Sequence, residues 1–113
     1  MPFGESMTAT EQFLAFLETQ RVAFRAELPG KVEEMSALWE GIACGGVGTA
    51  AISDLERLAH NLAGSGATFG FPRLSAAARE LETAVQGLRF PPPPCESRLD
   101  VNTALSQVRR SLP

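Results

Sequence analysis

The clearest structural pattern in the chain lies in residues 52–70, which read ISDLERLAHNLAGSGATFG. At about 100° per residue, the apolar side chains of this stretch gather on one stripe roughly 120° wide, which predicts an amphipathic α-helix. Gly70 follows where glycine commonly ends a helix. The predicted buried stripe consists of Ile52, Leu55, Leu58, Ala59, Leu62, Gly66 and Phe69.

His60 is the only histidine of the chain, and the same arithmetic places it about 150° from the centre of the stripe, facing water. Helical side chains lean toward the N-terminus, so small residues just after His60 leave its ring clear. A surface histidine without a role is the simplest alternative. The glycines and the exposed position favour a ring nitrogen offered to another macromolecule. Its neighbours at one or two turns are Glu56, Arg57, Ala63, Gly64 and Ala67.

The first 43 residues predict two helices. Residues 1–8 are expected to be frayed, with Thr8 or Thr10 capping the first helix. Pro29-Gly30 interrupts the apolar pattern, and Pro29 suits the first turn of a new helix. The first helix should bury Phe13, Leu14, Leu17, Phe24 and Leu28; the second should bury Val32, Met35, Trp39 and Ile42.

Two more helices follow the central one. Pro72 is expected in the first turn of one, and Ser97 or Asp100 should cap the last. Residues 91–97, which include four prolines, predict a stiff inter-helix loop. The two buried stripes should be Leu74, Ala78, Leu81, Val85 and Leu88, then Val101, Leu105, Val108 and Leu112. The prediction is an all-α single domain over residues 1–113: an antiparallel four-helix bundle with an additional short N-terminal helix.

Composition narrows the possible functions. A net charge of −3 and a pI near 5.1 argue against nucleic acid as a partner. Cys44 and Cys95 fall in predicted loops without metal-ligand spacing, so no metal site is expected. No apolar run is long enough to cross a membrane, and no signal pattern is seen. These features predict a cytoplasmic protein with reduced thiols.

The residues around the histidine resemble the motif of the histidine phosphotransfer (Hpt) domain family, His-x-Leu-Lys-Gly-Ser with a glycine ten residues after the histidine. The sequence departs from it at Ala63, where the family commonly has lysine. In helix order the resemblance covers nearly the whole chain. The matching positions are His60, Leu62, Gly64, Ser65 and Gly70.

The resemblance implies a phosphorelay. His60 would accept a phosphoryl group from a receiver-domain aspartate or a histidine kinase and pass it to a response regulator. The partners implied are receiver domains and a sensor or hybrid kinase, with no nucleic acid and no membrane. The protein would be a monomeric phosphocarrier rather than an enzyme. It would need no cofactor of its own, because Mg²⁺ is expected on the receiver.

The resemblance also suggests supporting residues. Counting from the motif places Glu82 on the next helix, where it would hold the second ring nitrogen of His60; a solvated surface glutamate is an equally good interpretation. Partner binding is expected at Glu56, Ala63, Gly64 and Ala67, with Arg57 at the rim. Three arginines could replace the lysine that is missing at position 63, and the sequence does not distinguish among them: Arg57, Arg73 and Arg79.

Three other functions remain open at this point. A module that docks on a receiver or kinase and regulates it without carrying phosphate would explain Ala63, but it has no need of a histidine. An enzyme is disfavoured by the single histidine and the lack of clustered carboxylates. A purely structural bundle leaves the small residues near His60 unexplained.

Overall fold

The computed structural model describes residues 8–43, 49–89 and 95–113, and these form four α-helices. The helices are α1 (Ala9–Ala43), α2 (Thr49–Thr68), α3 (Pro72–Gln86) and α4 (Cys95–Arg110), with a 3₁₀ turn at Gly87–Arg89. No strand occurs in the described part, which confirms the all-α prediction. None of the helices in these ranges is long and apolar enough to span a bilayer.

The helices form a bundle in which each packs against its neighbours in sequence, and α4 closes the ring against α1. Helices α1 and α3 make no direct backbone contact, so they lie diagonally opposite. The predicted stripes of α2, α3 and α4 face the core. Burial of each large side chain contributes about 1.5–3 kcal/mol. The most deeply buried are Leu28, Met35, Leu55, Leu74, Leu81, Val85, Val101 and Val108.

Helix α1 is continuous for 35 residues and contains Pro29. The predicted break at Pro29-Gly30, and with it the separate N-terminal helix, is not found. Proline in a helix interior removes one backbone hydrogen bond and costs about 3 kcal/mol. The cost is offset because Leu28 and Val32, on either side of the proline, are both buried against the bundle. Packing on one unbroken face therefore overrides the local helix-breaking signal.

The N-terminal part of α1 projects beyond the bundle. Phe24 packs against Phe69 and Phe71 at the α2–α3 turn, with ring centroids 5.1 and 5.9 Å apart. Residues 9–20 lie past this level, which corresponds to about 18 Å of helix. Phe13 and Leu14 are 59% and 57% exposed, so their predicted burial is wrong. Their stripe continues that of Phe24, but none of the other described helices extends far enough to cover it.

The turn between α2 and α3 follows the predicted chemistry. Gly70 has φ of +82°, a conformation that favours glycine. The Phe71 N–H donates to the Gly66 carbonyl at 2.7 Å, and the Gly70 N–H donates to Ala67 at 3.4 Å, which is a Schellman ending. Pro72 then lies in the first turn of α3. This tight turn fixes α3 antiparallel to α2.

The predicted starts of the first and last helices agree with the structure in part. The Thr8 hydroxyl accepts a hydrogen bond from the Glu11 N–H at 3.1 Å, so Thr8 caps α1. Helix α4 begins at Cys95, earlier than a cap at Ser97 or Asp100 would place it. Cys95 is therefore helical rather than in a loop, and residues 95–97 of the predicted 91–97 loop belong to α4. Residues 1–7, Cys44 and the four prolines lie outside the described ranges.

Candidate functional site

His60 lies on the outer face of α2, with 71% of its side chain exposed. The residues beside it, Ala59 on one side and Leu62 on the other, are buried in the core. Its exposure was expected from the helical periodicity, because α2 turns its apolar stripe toward the core between α1 and α3. The imidazole is thus held on a rigid helix and open to a large approaching group.

One ring nitrogen of His60 has a partner on the neighbouring helix. The distance from His60 Nδ1 to Glu82 Oε2 is 2.8 Å, and the glutamate side chain is 22% exposed. A carboxylate can only accept a hydrogen bond, so Nδ1 carries the proton and donates it. In the neutral imidazole this tautomer leaves the lone pair on Nε2. Glu82 therefore lies where counting from the motif placed it, and its functional role stays a prediction.

The two glycines after His60 have different surroundings. A Cβ at Gly66 would meet the backbone nitrogen of Ser75 at 3.2 Å, because α3 approaches α2 closely there. A Cβ at Gly64 would meet nothing within 4 Å. Each glycine costs about 1 kcal/mol of helix stability relative to alanine. Close packing against α3 compensates for this cost at Gly66, whereas no packing compensates for it at Gly64.

Ala63 does not lie on the exposed face, contrary to its predicted part in partner binding. It is only 4% exposed, because α3 covers it. The Ser75 hydroxyl, itself buried, donates to the Ala63 carbonyl at 2.7 Å. The sequence reasoning overlooked Ser75, although a polar residue directly after Leu74 in the apolar stripe of α3 was a usable signal. Ala63 is therefore part of the buried α2–α3 interface.

The other predicted partner-binding residues surround the histidine. Gly64 and Ala67 are exposed on the same side of α2, one and two turns after His60, and Glu56 is half-buried one turn before it. Arg57 is exposed, and its guanidinium pairs with the Asp54 carboxylate at 3.2 Å. Arg57 also borders the groove toward α1. The surface next to His60 is therefore small and apolar on one side and charged on the other.

A family model of the Hpt domain matches residues 11–111, nearly the whole chain. The chain belongs to the Hpt domain family. Hpt domains are phosphocarrier modules that take part in histidine phosphotransfer in phosphorelays, where they interact with receiver domains and histidine kinases. No curated protein and no solved structure matches the chain.

Proposed function

We propose that this Hpt domain carries phosphate on His60, accepting it from a receiver-domain aspartate or a kinase and passing it to a response regulator. The observation that supports this most directly is the exposed imidazole whose Nδ1–H donates to Glu82 at 2.8 Å. That hydrogen bond holds the ring in the tautomer with a free Nε2, which is the nucleophilic form.

The transfer step follows from this geometry. The Nε2 lone pair attacks phosphorus, the N–P bond forms, and the P–O bond to the donor aspartate breaks with its electron pair on the carboxylate. No proton has to leave His60, because the positive charge that develops on the ring faces Glu82. Most of the remaining catalysis is positioning and charge neutralisation. The receiver supplies the Mg²⁺, and this chain supplies an oriented nucleophile.

The surface beside His60 suits a docked receiver. Gly64 lowers helix stability without improving the packing, and a longer residue there would lean over the ring. We infer that the glycine is kept for clearance and that Gly64 and Ala67 form the apolar centre of the docking surface. Glu56 and Arg57 lie at its rim, where charges mainly affect the rate of encounter.

The proposal extends to the state and location of the protein. A relay component must release each partner after transfer, so we infer a monomer that binds receivers with modest affinity in the cytoplasm. The alternative is a module that docks on a receiver or kinase without being phosphorylated. Alanine at position 63 favours that alternative, since the lysine common in the family is missing, whereas the His60–Glu82 hydrogen bond favours the carrier.

Phosphorylation of a His60→Gln variant tests the proposal. The parental protein, incubated with phosphoramidate or a phosphorylated receiver, should gain acid-labile label on His60, and the variant should gain none. The substitution is on the surface, so the free energy of unfolding should change by no more than about 0.5 kcal/mol. Label of equal amount in the variant would refute the assignment. Binding of receivers by an unlabelled parental protein would favour the regulatory module.

A further inference from the structure

The family's usual lysine would stand one turn after the phosphorylated histidine, at the position of Ala63. Phosphoryl oxygens carry negative charge throughout transfer, and a nearby cation stabilises them. Three arginines were candidates for this role, and the structure separates them by the contacts each side chain makes and the cleft it borders.

One of the three is already paired with a carboxylate, and another borders a different cleft. Arg57 pairs with Asp54 at 3.2 Å and borders the groove between α1 and α2. Arg73 is nine residues before Glu82 on α3, which is about 180° around the helix. It borders the cleft toward α4, beside Arg110. Arg57 is therefore held by a carboxylate although it lies one turn before His60, and Arg73 lies on the α4 side of α3.

Arg79 lies between the two contacts that tie α3 to α2 at the site. Ser75, four residues earlier, contacts Ala63, and Glu82, three residues later, contacts His60. Because the helices are antiparallel, Arg79 is level with the interval between His60 and Ala63. It is about 4.5 Å along the axis from Glu82 and 60° around α3, toward solvent.

The Arg79 side chain is available for a new contact. It is exposed and borders the cleft on the α2 side together with Ala67 and Ser75. It also borders the groove that contains Glu80 and Asp100. Among the residues that the structure describes, no ion pair holds its guanidinium. A long, flexible side chain in this position can turn toward a charge that appears on His60.

We propose that Arg79 contacts the phosphoryl oxygens on His60. From the neighbouring helix α3, it takes over the role of the lysine that is missing at position 63. The inference rests on the proposed phosphorylation of His60. A guanidinium binds two phosphate oxygens at once, so it is well suited to this task. The exposed setting limits the effect to about fivefold in rate, since solvent screens charges there.

The test compares the phosphorylation rates of variants of residues 1–113, with phosphoramidate as the only donor. Arg79→Gln should be labelled on His60 about fivefold more slowly than the parental protein. Arg79→Lys, which keeps the charge, should recover most of the rate. Arg73→Gln is the matched control, because it removes the same charge from the other side of α3, and it should be labelled at the parental rate. Melting temperatures should be equal for all four proteins.

The outcomes separate the two proposals. If the parental protein is labelled and Arg79→Gln and Arg73→Gln are labelled at equal rates, the role of Arg79 is overturned and the carrier function stands. A similar loss in Arg79→Lys and Arg79→Gln would also overturn it, because the effect would then depend on shape rather than charge. A parental protein that gains no label would overturn the carrier function and the inference together.

Discussion

Replacement of Gly64 by glutamine should separate docking from folding in this protein. A Cβ at position 64 meets nothing within 4 Å, and glutamine has a higher helix propensity than glycine. The free energy of unfolding should therefore rise by about 0.5–1 kcal/mol, which corresponds to an increase of about 2–4 °C in melting temperature. The side chain points toward the N-terminus of α2 and covers the space in front of His60.

The expected functional result is a loss of at least tenfold in transfer from a phosphorylated receiver, equal to about 1.4 kcal/mol. Labelling by phosphoramidate should fall much less, because so small a donor reaches Nε2 around the new side chain. Gly64→Ala is the matched control: it gains helix stability and retains transfer. Transfer at the parental rate in Gly64→Gln would refute the clearance argument, and a lowered melting temperature would refute the open space seen at this position.

Three further predictions concern the site and its support. Glu82→Gln keeps an acceptor near Nδ1 but removes the charge that stabilises the phosphorylated ring, so labelling of His60 should slow severalfold; an unchanged rate would count against stabilisation by the Glu82 charge. Gly66→Ala brings a methyl group to 3.2 Å from the Ser75 backbone and should lower the free energy of unfolding by about 1 kcal/mol in urea titrations, whereas a gain would contradict it. Amide shifts on receiver binding should centre on α2 around His60 and spare α4; a footprint on α4 would favour the regulatory module.

Much of the site follows from periodicity and local chemistry. The 3.6-residue repeat decides which face of α2 is apolar, and this alone placed His60 in solvent. The αL preference of Gly70 and the fixed φ of Pro72 specified the turn that sets α3 antiparallel to α2. The apolar face of α2 and this turn are local features, so one sequence is enough to predict them. The position of Glu82 near His60 was instead implied by the resemblance to the Hpt family, by counting from the motif.

Other features depend on which surfaces meet in the folded chain. Pro29 breaks helices in isolation, but here α1 continues because packing on both sides of the proline outweighs one lost hydrogen bond. Phe13 and Leu14 lie in the apolar pattern yet remain exposed, since α1 outruns the described helices that could cover them.

Tertiary packing also distinguishes neighbouring residues of the site that look alike in sequence. Gly64 and Gly66 look alike in sequence, and only the approach of Ser75 shows that one is needed for packing while the other is open. Ala63 is buried by that same approach. Residue periodicity assigns a direction to each side chain, but burial depends on how far the neighbouring helix extends and how closely it packs, which is set by the tertiary structure.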